Sequence, residues 1–169
     1  MASVIRFDNW QTTDGTSIAT TNASGDITFA GSLSHGNTSF AGSRNGGHVS
    51  AGNVVVLDAV QHNTGSAYNT TTGVFTCPQN GLYLVCMTGI ANSSSNVVWE
   101  LTKNVSSGWT LGGGLLTPRN DDAPTTYGQA SGSGVFSFAQ GDELRFVVTR
   151  GELYGAAANW TNGSITLLG

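Results

Sequence analysis

Residues 65–87 read GSAYNTTTGVFTCPQNGLYLVCM. Two apolar runs, Val74-Phe75-Thr76-Cys77 and Leu82-Tyr83-Leu84-Val85-Cys86-Met87, flank the turn-forming Pro78-Gln79-Asn80-Gly81. β-Branched, aromatic and aliphatic residues bounded by Gly, Pro and Asn are the pattern of strands, not helices. The second run is apolar at six successive positions, which predicts a strand covered on both faces. Such a strand lies between two sheets, or between a sheet and another subunit. If the Pro78-Gln79-Asn80-Gly81 turn closes a hairpin, Cys77 lies near Leu82 and Cys86 near Gly73, too far apart for a disulfide. These are the only cysteines, and they read as two buried thiols acting as small hydrophobes.

Downstream, residues 97–102, 109–116, 127–130, 134–138, 144–149 and 164–168 carry strand patterns, and residues 54–57 carry another upstream. Residues 58–67 read as a loop, 90–96 as a polar crossing and 117–126 as the most charged loop. Strand signals recurring about every ten residues, with turn residues throughout and no helical period, predict an antiparallel β-sandwich. Residues 1–47 differ. Val4-Ile5-Arg6-Phe7-Asp8-Asn9-Trp10 and Ile27-Thr28-Phe29-Ala30-Gly31-Ser32-Leu33 are short strand candidates separated by a Thr/Ser/Ala/Gly run. These pieces are too small to form a core of their own. Residues 34–47 are rich in Gly, Ser and Asn and read as a flexible link. The division expected is an extended arm and linker over 1–47 and a head over 48–169.

The pattern Tyr68-x4-Gly73-x-Phe75-x2-Pro78-x2-Gly81-x-Tyr83 resembles the core motif of the globular head of the complement first component's q subunit. Gly132-Ser133-Gly134-Val135-Phe136-Ser137-Phe138, then Gly141-Asp142-Glu143-Leu144-Arg145-Phe146, resemble that family's penultimate strands, and residues 162–169 its closing strand, without the usual aromatic. The resemblance covers about residues 48–169. It implies an all-β jelly roll of the complement-q and tumour-necrosis-factor-like type, and a homotrimer. It implies no chemistry. Under it, Phe75, Tyr83, Val85 and Phe146 are expected in the core or trimer packing. More loosely, the Thr/Ser-rich arm with Ser24-Gly25-Asp26-Ile27-Thr28-Phe29-Ala30-Gly31-Ser32-Leu33 resembles segments of bacteriophage tail-fibre and head-decoration proteins.

Charged residues make up only 9% of the chain, net charge is −4, and Lys103 is the only lysine. With no basic patch, nucleic acid is not an expected partner. No run of 18 apolar residues occurs, so no membrane-inserted helix is expected, and the amino terminus lacks the apolar segment of a signal peptide. His35, His48 and His62 are too scattered for zinc, and no Cys-x-x-Cys occurs. Asp121-Asp122 beside Asn120 is an acidic loop in which calcium is the only metal worth weighing, and a solvated loop is the better reading. Asp142 in Gly-Asp-Glu reads as turn chemistry. Gly112-Gly113-Gly114 lacks the Lys-Ser/Thr of a phosphate loop. No nucleophile–base pair can be assembled, so neither enzyme activity nor a cofactor is expected.

The expected function is therefore structural. We read a virion protein, made in a host cytoplasm and exposed on the particle: a trimeric capsid decoration or cement protein. Its partners would be a major capsid protein or a fibre or tail adaptor. Ile5, Phe7, Trp10, Ile27 and Phe29 would be the apolar anchors of the arm, since each buried large side chain is worth about 1.5–3 kcal/mol. The alternative is the receptor-binding head of a tail or head fibre that recognises a host surface glycan. Trp109, Tyr127 and Trp160 would then be the sugar platforms. Packing at the trimer interface is the plainer expectation for these rings.

Overall fold

The structure is a computed structural model describing residues 9–11, 17–21, 24, 27–29, 38–92, 96–105, 108–109, 114–120, 128–155 and 160–168. It divides into two compact units, Met1–His35 and Gly36–Gly169. In the first, β1 (Asn9–Gln11), β2 (Ser17–Thr21) and β3 (Ile27–Phe29) form a three-stranded antiparallel sheet in chain order. The strand β2 falls in the Thr/Ser-rich run that had no strand pattern. Of the five expected anchors, Trp10, Ile27 and Phe29 lie on these strands, while Ile5 and Phe7 lie outside the described residues.

The second unit is a sandwich of two antiparallel sheets. One has the order β13 (Gln129–Phe138), β9 (Gly81–Ile90), β15 (Asn162–Leu167), β4 (Ser39–Ser43), β6 (Ala59–Thr64). The other runs β11 (Gly108–Trp109), β10 (Val97–Val105), β14 (Glu143–Leu153), β8 (Val74–Thr76), β7 (Tyr68–Asn69). The short strand β12 (Arg119–Asn120) joins it on β10, and β5 (Val49–Ser50) on β14. Apart from the consecutive pairs β7–β8 and β10–β11, neighbours in each sheet are not consecutive in sequence, so most connections cross between sheets, as in a jelly roll.

The six-residue apolar run lies in β9, the strand between β13 and β15. Tyr83, Val85 and Met87 point into the sandwich and are buried. There they join Phe75, Trp99, Leu101, Leu144, Phe146 and Ile165 in one core. Phe75 meets Tyr83 edge-on, with ring centroids 6.2 Å apart, and Trp99 lies 5.8 Å from Phe146. Offset and edge contacts of this kind add to the area each ring buries.

Several expectations are corrected by this topology. Residues 74–77 and 82–87 do not form a hairpin. β8 pairs with β7 and β14, whereas β9 pairs with β13 and β15. The cause is the backbone of Cys77, which donates to Asp142 O and accepts from Gly141 N–H, each at 2.8 Å. The β13–β14 turn thereby holds Cys77 on one sheet, and the Pro78-Gln79-Asn80-Gly81 segment carries the chain to the other. Both cysteines are free, but only Cys77 is buried as expected; Cys86 is half-buried, because its alternate position on β9 points away from the core.

The stretch 34–47 is not simply a link, because it contains β4, paired along β15 and β6. Phe40 is fully buried and stacks on Tyr68 at 3.7 Å. The glycine at 42 serves packing, since a Cβ there would meet the Phe40 ring at 3.0 Å and Ala59 O at 3.2 Å. Residues 58–67 are not a loop either: β6 is an edge strand, and the polar, exposed sequence AVQHNT suits an unpaired edge. Residues 54–57 form only an isolated bridge, Val54 to Val147, plus a bond from Val55 N to Phe146 O. Residues 129–138 are one strand where two were read; of residues 109–116, Trp109 ends β11 and Leu116 bridges to Leu101, while 110–113 lie outside the described residues.

Candidate functional site

β9 has a second face. Leu82, Leu84, Cys86, Thr88 and Ile90 alternate with the core residues and point away from the sandwich. Across the strand pairs, Leu84 lies between Val135 and Thr166, and Cys86 between Ser133 and Ser164. Ser131 and Ser137 of β13, Asn162 of β15, and Ser39 and Ala41 of β4 continue the face. Among these described residues there is no Asp, Glu, Lys or Arg. Leu82 is 49% exposed, Val135 52% and neighbouring Leu168 55%. Depressions of 190 Å³ and 260 Å³ border Cys86, lined by Ser, Gly, Asn and other small or polar residues. An uncharged sheet face with exposed Leu82, Val135 and Leu168 among hydroxyls fits a protein partner better than a small molecule.

Phe75, Tyr83, Val85 and Phe146 are all fully buried within the protomer's own sandwich, so none of them lines this face. The outer-face apolar residues, Leu82, Leu84 and Val135, were not singled out from sequence. The unbroken apolar run of β9 was the signal for them, because only its alternate residues can face the core.

The three candidate sugar platforms do not come together. Tyr127 lies outside the described residues. Trp109, on β11, is covered by the Arg145 guanidinium, whose carbon is 3.9 Å from the ring centroid. Trp160 lies tilted against Tyr154, with ring centroids 4.8 Å apart, and Tyr154 lies 4.6 Å from His48. The row is fixed by backbone contacts: Gly155 N–H donates to His48 Nδ1 at 3.3 Å, and the Thr161 hydroxyl donates to Tyr154 O at 2.5 Å. Beside it, Glu152 accepts from Asn92 Nδ2 and from Ser50 Oγ, and the Asn92 bond above all holds its carboxyl below the usual range. Trp109 belongs to the second sheet, not to the sheet that contains β9.

No group of three or more His, Cys, Asp or Glu side chains able to hold a metal occurs among the described residues. His62 is exposed on β6, and Asp121 and Asp122 lie outside the described residues. Asp142 caps the β13–β14 turn: its carboxylate accepts from Ala139 N–H at 2.8 Å and from the Lys103 ammonium. Burial pushes its pKa up, but the Lys103 and Ala139 bonds outweigh this and leave it lowered. The Cys77 thiol is buried, and burial pushes it up to about 12, which removes it as a nucleophile. No helix among the described residues is long and apolar enough to cross a membrane.

A two-sheet antiparallel jelly roll with these strand orders defines the class, and the family follows from the sequence match. Residues 39–165 match the C1q domain, and the chain belongs to that family. Members of the family and of the related tumour necrosis factor group form trimers. Among solved structures, the globular domain of zebrafish complement 1qA protein is similar at 14% identity, with 79% of this chain and 98% of that chain covered and a TM-score of 0.62. Eiger TNF from S. frugiperda is similar at 16% identity, covering 79% and 93%, with a TM-score of 0.61. Murine APRIL at pH 5.0 follows at 12% identity, 77% and 99%, with a TM-score of 0.56. At such identities what is shared is the fold. No curated protein matches the sequence.

Proposed function

We propose that this chain is a non-enzymatic structural protein of a bacteriophage particle, a homotrimeric head displayed as a capsid decoration. The observation that carries the reading is the outer face of β9. A row of half-exposed Leu82, Val135 and Leu168 without a charge is costly to leave in water, and it is covered if three copies close around it. In the Thr/Ser-rich amino-terminal unit, β1, β2 and β3 form a small sheet of their own, which fits an anchor on a particle. In this arrangement the amino-terminal unit holds a shell subunit and the head faces solvent.

The experiment has two arms. Sedimentation of the purified chain should give a trimer, and a stable folded monomer at micromolar concentration would sink the reading. Chain lacking residues 1–35 is then added to particles that lack the protein. We expect a folded trimer that does not bind, and normal occupancy would place the anchor on the head.

The alternative, the glycan-recognising head of a fibre, is favoured by one observation, the fixed row His48, Tyr154, Trp160. Copy number in the purified particle separates the two. A decoration protein stands in a simple, high ratio to the shell protein, whereas a fibre head is a minor component.

A further inference from the structure

The chain contains three Asn-Gly pairs, Asn45-Gly46, Asn80-Gly81 and Asn162-Gly163. Such a pair can react with itself, because no Cβ on the second residue keeps its main-chain nitrogen away from the asparagine side chain. The fold treats the three differently. Asn162-Gly163 lies inside β15, and both residues pair with β9 on one side and β4 on the other. Asn80 is exposed, but its Oδ1 accepts from Gln140 N–H at 2.8 Å, and Gly81 opens β9 opposite Phe138. Asn45 and Gly46 are both exposed in the connection from β4 to β5, outside any strand. Among the described residues neither the Asn45 side chain nor the Gly46 N–H makes a hydrogen bond.

The packing also requires glycine at 46. A Cβ there would meet the Asp58 carboxylate at 2.7 Å and the Arg44 guanidinium at 2.9 Å. The close approach of these two side chains thus calls for the residue that leaves the peptide reactive. The segment holds a neighbour in place. Arg44 N–H donates to Thr161 O at 2.8 Å, Gly47 N–H to Gly155 O at 3.3 Å, and Gly155 N–H to His48 Nδ1 at 3.3 Å. Asn45 N–H itself donates to the Asp58 carboxylate at 2.7 Å. Residues 44–48 therefore strap the two ends of the stretch 155–161, beside Tyr154 and with Trp160 inside it.

We propose that Asn45-Gly46 is a self-modification site, at which Asn45 deamidates and the product loosens the strap on Gly155. The Gly46 nitrogen gives its proton to solvent and attacks Asn45 Cγ. The new N–Cγ bond forms as the Cγ–Nδ2 bond breaks and ammonia leaves, giving a five-membered succinimide. Water then adds to one of the two ring carbonyls. Opening at Cγ gives aspartate. Opening at the main-chain carbonyl gives isoaspartate, with one extra methylene in the path of the chain. Either product adds a carboxylate to a loop in which Asp58 already balances Arg44, and the surplus negative charge is unfavourable. The isoaspartate also lengthens the path from Arg44 to Gly47, so the bonds to Thr161 O and Gly155 O no longer keep a common register. The proposal rests on neither reading of the particle.

The test is incubation of the full chain in mildly alkaline buffer, followed by peptide mapping with tandem mass spectrometry. Each event loses ammonia and gains water, adding about one dalton, and enzymatic methylation marks the isoaspartate. We expect Asn45 to convert at least about tenfold faster than Asn80 and Asn162, whose held backbone must open first. In urea the three rates should converge, since each is then an unfolded Asn-Gly. N45Q, whose longer side chain closes a ring far more slowly, should remove the fast event. Amide hydrogen exchange at Gly47 and Gly155 should quicken in the incubated parent and stay unchanged in incubated N45Q. The proposal is overturned if Asn80 or Asn162 converts as fast as Asn45 in the folded chain. It is overturned equally if Asn45 stays intact in the folded chain while the urea sample reacts. Conversion at Asn45 without faster exchange at Gly155 overturns the loosening of the strap.

Discussion

Phe75 belongs to the core of the sandwich. It is fully buried, edge-on to Tyr83, and paired across the sheet with Leu144 and Tyr68. Phe75→Ala should cost about 3–5 kcal/mol in a denaturant titration, the usual price of truncating a buried Phe. A variant that unfolds at the parent's midpoint would remove Phe75 from the core. Tyr68 and Cys77 give the fold its alkaline limit. Burial raises the Tyr68 phenol from 10.0 to about 12 and the Cys77 thiol from 9.0 to about 12. The unfolded chain therefore releases these protons first. The stability they contribute is complete below pH 9 and lost as pH rises from 9 through 12. The Tyr68 hydroxyl also accepts from Leu57 N–H at 2.8 Å. Tyr68→Phe should thus be less stable near neutrality by about 1 kcal/mol and should decline less steeply in alkali. Urea unfolding at neutral and alkaline pH should show the two curves converging, and parallel curves would refute the assignment. Phe75 and Cys77 were legible in the sequence as members of an apolar run, and Tyr68 only as the first residue of the spaced motif. The contact of Arg145 with Trp109 was not, because Leu144-Arg145-Phe146 reads simply as an alternating strand and the ring is brought over it only in three dimensions.

Among the elements, β10 and β14 carry the second sheet, and their pairing shifts register between Val98 and Trp99. Gly151 makes that end of the pair workable. Its φ is 71°, and a Cβ there would lie 1.6 Å from Asn96 O. Gly151→Ala should cost at least about 2–3 kcal/mol, combining left-handed strain with a backbone clash, and calorimetry should show it as a large fall in melting temperature. The strands β9, β10, β14 and β15 were legible because each buries an apolar series in alternation. β4 and β6 were missed for opposite reasons. Gly42 and Ser43 imitate a linker while serving a tight contact, and the polar residues of β6 imitate a loop while serving an edge. The false hairpin at Pro78-Gln79-Asn80-Gly81 has a third cause: a turn sequence specifies a local bend, not which strand receives the pairing.

For the whole molecule, the outer face of β9 is the surface on which assembly is to be tested. Val135→Asp places a charge beside Leu84 on that face, without touching the core on the opposite side of β13. It should leave the protomer folded by circular dichroism and shift sedimentation from trimer to monomer. A trimer unaffected by Val135→Asp would move the interface elsewhere.

The sequence by itself determined the class of this protein. Period-two burial, turn residues at short intervals and the spaced Gly, Phe, Pro, Gly and Tyr of residues 68–83 are local quantities, and they sufficed for an antiparallel jelly roll of the complement-q kind. Pairing partners, the extent of the head and the fate of the aromatic rings were decided only by tertiary structure. Which strand lies beside which depends on contacts between residues far apart in the chain, such as Cys77 with Asp142, Phe40 with Ile165 and Trp109 with Arg145. No local pattern encodes those contacts, because they form only when both sheets close on one core.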